Sequence, residues 1–230
     1  MHILVMGGSG RIGKLVIDEA IKRGHTITAL VRDESKLEKK EGLILVKGDP
    51  KVPSDLSPAF TPTPDAVITA LAARRQTDSP FSQPSAESPP RLMADIQANL
   101  VQQIRNSAPT KKLVVLSMAG CGDSRDGLPM VTKLFFAWSP MRHQLVDHDL
   151  VDTETRKARE ASKKDGGDFD FTLVRPVMFS DGDATEVKVW PESGSGVGLT
   201  SKITRKSVAA FMVDAAEKEE WNGKAPVISN

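Results

Sequence analysis

Apolar positions along the chain switch repeatedly between two spacings. Short continuous apolar runs occur at 2–6 (HILVM), 26–31 (TITALV), 43–46 (LILV), 65–71 (DAVITAL), 112–117 (KLVVLS) and 169–176 (FDFTLVRP). Their length and β-branched content predict strands buried on both faces of a parallel sheet. Between them the spacing becomes helical. Ile12, Leu15, Val16 and Ala20 share one face that stops at Gly24, and Leu92, Ile96, Leu100 and Ile104 recur every fourth residue, predicting an amphipathic helix over 91–107. Residues 150–164 read as a polar helix, and Val208, Phe211, Met212 and Ala215 mark a last one. Strand–helix alternation of this kind implies right-handed crossovers and an α/β fold, a doubly wound parallel sheet with helices on both faces.

In that architecture ligands collect beyond the carboxyl ends of the strands. Three segments interrupt the alternation, at 72–91, 118–149 and 180–202, and each begins at the carboxyl end of a predicted strand. They should therefore surround one mouth. The first, rich in Ser and Pro, reads either as a flexible lid or as a plain surface loop. The second carries Leu134, Phe135, Phe136, Trp138 and Met141, which suits a substrate cap and equally a core-packing helix. No internal repeat is visible, and a single domain over 1–230 is expected. Hydrophobic residues make up 39% and charged residues 27% of the 230, the balance of a globular chain. A net charge of +1 provides no field to gather nucleic acid or anionic lipid. One cysteine, Cys121, rules out an internal disulfide, and no metal site is expected. No apolar run is long enough to cross a bilayer, and ILVM is too short for a signal-peptide core, so a soluble cytoplasmic protein is the expectation.

Glycines fall as Gly7-x-x-Gly10-x-x-Gly13 in GGSGRIG, directly after the first strand and opening the first helix through Ile12. The first permits a tight turn, the second lets backbone approach a pyrophosphate, and the third lets helix and strand pack closely. The helix N-terminus then offers unpaired N–H groups to phosphate, with Ser9 and Arg11 placed to add side-chain contacts. A dinucleotide cradle of the Rossmann type is expected here. The second strand ends Leu30-Val31-Arg32, without the acid that receives an adenosine ribose hydroxyl. Arg32 instead suits a 2′-phosphate, favouring NADP(H) over NAD. Asp33, with Ser35, is better explained as capping a short helix at 34–40. Asp49, in KGDP at the tip of the third strand, can meet the adenine amino group or simply make a turn.

These residues together resemble the atypical short-chain dehydrogenase/reductases, and within them the NmrA-like and biliverdin-reductase-B (flavin reductase) branch. The resemblance runs nearly the whole length, through GGSGRIG, TALVRDESKL, VKGD, DAVITALAARR, KLVVLSMAG, FDFTLVRPVMF and KITRKSVAAFMVDAAEKEEWNGKAPVIS. It implies a monomeric or weakly self-associating NADP-binding protein with a substrate mouth over the nicotinamide. It further implies that Ala70, Leu71, Ala72 and Arg74 line the cofactor, that Ser117 sits beside the nicotinamide, and that Pro176, Val177 and Met178 flank its amide.

The chemistry departs from the wider family, whose members protonate a developing alkoxide with a tyrosine assisted by a lysine four residues on. This chain has no tyrosine. If Glu160 aligns with the family's helical glutamate, the tyrosine place falls near Asp152 or Thr153 and the lysine place on Arg156 or Lys157. In the biliverdin-reductase-B branch a serine after the fifth strand and a histidine after the sixth are the candidate groups. Ser117 matches the serine, whereas the histidine place reads Val177 or Met178. The family's S-x-x-D also departs, because Thr204 is followed by Ser207. Candidate catalytic groups are therefore Ser117, Asp152 if it faces the mouth, and His143 and His148 in the cap. Hydride transfer needs little from the protein beyond orientation and exclusion of water. The expectation is an NADPH-dependent oxidoreductase acting on a small conjugated or aromatic acceptor. Its rivals are a redox-neutral isomerase or cyclase, and a non-catalytic NADP-sensing regulator that docks a partner.

Overall fold

All six apolar runs form strands: β1 (His2–Met6), β2 (Thr26–Val31), β3 (Leu43–Lys47), β4 (Ala66–Thr69), β5 (Lys112–Leu116) and β6 (Asp170–Pro176). The computed structural model describes residues 1–77, 79, 81–107 and 110–230. The six strands are parallel, in the order β3-β2-β1-β4-β5-β6. The sheet continues through β10 (Val227–Ser229), parallel to β6, to β8 (Lys188–Trp190), antiparallel to β10. β7 (Met178–Ser180) and β9 (Lys202–Thr204) make a separate parallel pair. Chain order reverses between β1 and β4, the point where a doubly wound sheet opens a crevice. Register brings the carboxyl ends level there, with Met6 beside both Leu30 and Thr69, and Thr69 beside Val115.

Alternate residues of each strand feed opposite layers. Ile3 and Val5 pack under α1 (Arg11–Lys22) and α6 (Arg205–Glu217), in one core with Val16, Ile17, Val208 and Met212. Leu4 and Met6 face the other layer. There α2 (Pro53–Ala59), α3 (Leu92–Asn106) and α5 (Met141–Lys164) contribute Leu56, Ile96, Leu100 and Val151. The remaining helix, α4 (Met130–Trp138), has no buried residue.

Two expectations are corrected. The helix expected at 150–164 begins at Met141 and runs for 24 residues, so 118–149 is largely helical rather than a loop. Its buried positions include Asp147, Asp152 and Thr155, and polar residues facing inward erase the apolar stripe that marks a helix. The helix expected at 34–40 is a single 3-10 turn over 34–36; Asp33 does cap it, accepting from the Ser35 N–H at 3.1 Å.

Candidate functional site

Backbone contact fixes the glycine turn. Gly7 has φ +86°, and a Cβ there would stand 2.6 Å from the Ala70 carbonyl oxygen. A Cβ on Gly10 would meet the Gly7 oxygen at 3.2 Å, and one on Gly13 would meet it at 2.1 Å. The helix therefore starts hard against the strand, with Gly10 N–H donating to the Gly7 oxygen at 2.9 Å. No side chain caps α1 and no acid stands in its first turn, so its N–H groups and dipole are open to an anion. The close-packed turn and uncapped helix fit the pyrophosphate of a dinucleotide.

A cavity of about 650 Å³ opens over this turn at the crevice. Gly7, Ser9, Gly10, Arg11, Ile12, Arg32, Asp49, Ala70, Leu71, Ala72, Arg74 and Ser117 all line it. Gly13 does not, because its part is the contact with Gly7. Pro176, Val177 and Met178 are also outside the wall, and Phe179 lines the cavity in their stead. Pro176 is the last residue of β6, Val177 packs against the core, and Met178 opens the strand pair β7–β9. Asp49 reaches the wall while also making a turn, its Oδ1 accepting from the Lys51 N–H at 3.0 Å.

The four catalytic candidates separate. Ser117 directly follows β5, held by its N–H donating to the Val174 oxygen at 2.7 Å, and is 5% exposed on the cavity wall. His148 lines the same cavity. His143 is exposed and lies outside the wall, because the helix turns its side chain to solvent. Asp152 does not face the mouth; it is buried and ion-paired with Arg175, which is 0% exposed, and with Arg156. Arg175 also donates to the carbonyl oxygens of Glu192 and Ala225. Gly122 packs over this pair, so Asp152 ties β6 to the loops behind the mouth.

Met141, expected in the substrate cap, lines the cavity with His148, and so does Gln144, which sequence reasoning missed. Their spacing of three and four places all three on one face of α5, a signal that was present in the sequence. It also missed Met118, Leu92, Met93 and Arg205. Cys121 is buried, and burial pushes its thiol well above the usual range, so it is no nucleophile. Of the other histidines, His25 meets Glu217 at 2.7 Å and the His2 ring bridges Thr26 and Thr28, as structural roles require. Among the described residues of 72–91, the Ser85 N–H donates to the Arg74 oxygen and the Arg74 N–H to Ser88 Oγ, and Phe81 meets Phe135 of α4 edge-on at 5.7 Å. Among the described residues no group of acids, cysteines and histidines could hold a metal. No helix there is long and apolar enough to cross a membrane.

The sequence pattern of the NAD(P)H-binding family matches residues 7–219. The chain belongs to this family. Family membership agrees with the cradle built from Gly7, Gly10 and Gly13. Photosystem II assembly factor Ycf39 from Synechocystis sp. is 43% identical over 81 residues, 34% of this chain and 24% of that protein. A 3-diazoavenalumate denitrifying reductase from a Streptomyces species is 31% identical over 123 residues, 52% of this chain and 38% of that protein. The chain thus spans well under half the length of either relative. Among solved structures, a Bacillus halodurans protein named as an NAD-dependent epimerase/dehydratase superposes with TM-score 0.76 at 25% identity, covering all of this chain and 94% of that one. ChuY, an anaerobillin reductase from Escherichia coli O157:H7, superposes with TM-score 0.73 at 16% identity, covering all of this chain and 97% of its own, and shares the fold.

Proposed function

We propose that the protein is an NADPH-dependent oxidoreductase that reduces a small, planar, conjugated or aromatic acceptor. The cofactor half of this reading rests on Arg32. It directly follows β2 on the cavity wall, makes no ion pair among the described residues, and stands where an NAD-binding chain would carry an acid. Asp33 beside it is committed to Ser35. A guanidinium so placed takes a 2′-phosphate through charge-assisted hydrogen bonds. In this reading the turn from Gly7 to Ile12 holds the pyrophosphate and Asp49 receives the adenine. Ala70, Leu71, Ala72 and Arg74 line the nicotinamide half, and Pro176, Val177 and Met178 back it through Phe179.

The bound reduced nicotinamide supplies a hydride. The chain's own work is to place the acceptor and keep water away. Ser117 Oγ has no hydrogen-bond partner among the described residues and is available to hold a polar atom of the acceptor. Met118, Met141, Leu92 and Ile96 offer an apolar bed for a flat molecule. Two similar proteins whose names identify them as reductases, the diazoavenalumate enzyme and ChuY, support the reaction class. The test is binding of NADPH and NADH to wild type and to Arg32→Ala. Loss of a charge-assisted contact should weaken NADPH by roughly tenfold or more and leave NADH nearly unchanged. An unaltered ratio would remove the phosphate assignment.

One observation favours a second reading, an NADP-sensing protein that docks a partner. On α4, Met130, Val131, Leu134 and Trp138 are exposed, Trp138 at 87%. Tight NADPH binding without oxidation by quinones, flavins or ketones would move the assignment there.

A further inference from the structure

Three consecutive residues of α5 face three different neighbours. Asp147 is buried and accepts the N–H groups of Met93 and Ala94, both at 2.9 Å, in the first turn of α3. Asp149 accepts the Gly122 N–H at 2.8 Å and pairs with Arg125, in the loop that follows β5. Between them the His148 imidazole faces the cavity over the start of α3 and the end of β5. Its Nδ1 is buried and has no hydrogen-bond partner among the described residues.

The surrounding charges are already engaged elsewhere. Asp147 is spent on α3 and Asp149 on Arg125. At the start of α3, Arg91 and Asp95 pair at 3.5 Å, and on the cavity rim Arg74 and Glu87 stand 4.0 Å apart. Burial is the stronger influence on the imidazole and holds its pKa below the ordinary value, against the opposing pull of Asp147 and Asp149. Leaving a buried ring nitrogen without a partner is unfavourable, and a purely structural histidine would find one. Here the fold clamps the helix on both sides of the residue and leaves the ring open to the cavity.

We infer that His148 is the catalytic residue that delivers the proton to the acceptor, taking the part that tyrosine plays elsewhere in the family. This inference rests on the reductase reading. The step balances as a two-electron reduction. The acceptor gains a hydride from reduced nicotinamide at one end of its π system and a proton from the imidazolium at the heteroatom end. A C–H and an O–H or N–H bond form, one π bond is lost, and the imidazole is left neutral until water reprotonates it. Asp147 and Asp149 are positioning residues that act through the helix.

The test uses the intact chain and its Gln variant at 148. Comparing the proton spectra of wild type and His148→Gln assigns the His148 C2–H resonance among the four histidines. That resonance should titrate below the ordinary imidazole range and move when NADPH and acceptor bind. His148→Gln should keep the NADPH Kd and lose about a hundredfold or more in kcat. Wild-type kcat should decline as pH rises through the lowered pKa, and the variant should lose that decline. A variant with wild-type kcat and pH profile, or a resonance that ligands leave unmoved, would overturn the assignment. A wild type that oxidises no NADPH with any acceptor overturns the reductase reading instead, and the resonance still reports separately on whether His148 faces the bound nucleotide.

Discussion

The two edges of the sheet handle polar groups in opposite ways. At the amino edge, hydrogen-bonding groups find each other. The His2 N–H donates to Asp65 at 2.8 Å, both its ring nitrogens meet threonines, and Thr110 Oγ1 donates to the Pro64 oxygen. Lys112 Nζ reaches Asn222, and His25 and Arg23 share Glu217. At the carboxyl edge, Thr69 Oγ1 and His148 Nδ1 are buried without partners, and Ser117 Oγ and Arg32 are likewise unpaired among the described residues. Both edges belong to the same strands, so strand propensity did not make the difference. The mouth thus keeps hydrogen-bonding groups open for a ligand, although elsewhere Trp221 Nε1 and Arg175 Nε are also buried without a hydrogen-bond partner.

Substitutions can break this contrast, and the largest effect should come from behind the mouth. Asp152→Ala leaves Arg175 charged and buried with its carboxylate gone, and should cost about 3–5 kcal/mol. Denaturant unfolding measures it; a loss under 1 kcal/mol would show that the pair is not the tie described. Gly13→Ala forces a Cβ onto the Gly7 oxygen and should cost about 3 kcal/mol, with Tm falling by roughly 6–12 °C. NADPH binding should weaken with it, and a wild-type Tm would refute the close packing.

The amino edge offers a test by pH. Burial lowers Lys112 from 10.5 to about 8, so the native chain gives up this proton before the unfolded chain does. Lys112 should therefore contribute a rise in stability, of no more than about 3 kcal/mol, between about pH 8 and 10.5, while the buried Cys121 thiol, held protonated above its ordinary range, opposes it from about pH 9 upward. In a Cys121→Ala background, which removes the opposing thiol, Lys112→Met should abolish the rise, and the absence of tyrosine keeps phenols out of that window. An unfolding free energy of the Cys121→Ala protein that falls across the window would contradict the sign. Smallest of all, Arg32→Ala should leave stability within about 0.5 kcal/mol of wild type while altering nucleotide preference, as a residue reserved for a ligand requires.

The cradle was legible because backbone sterics dictate it. A turn with φ +86° at Gly7 and no space for a Cβ at Gly13 admits few other residues. Arg32 could be read because its place follows from a strand end. The catalytic wall was less legible. Asp152 and His148 lie one helical turn apart on α5, and sequence alone could not say which faced the cavity while the start of the helix was misplaced. The buried Arg175 that draws Asp152 inward comes from β6, a contact that local spacing does not encode. β8 and β10, three residues each, are too short to leave a period.

The order of β8 and β10 in the sheet also has a kinetic consequence. β8 precedes β10 in the chain, yet β10 is its neighbour in the sheet and stands between it and β6. During synthesis from the amino end, residues 188–190 have no place to dock until 227–229 arrive. The cradle half of the sheet can assemble early, whereas this side must wait for the far end of the chain. Long-range pairing of that kind slows closure, and until then the carboxyl-terminal flank of β6 is an open edge at which a chaperone, or another nascent chain, can pair.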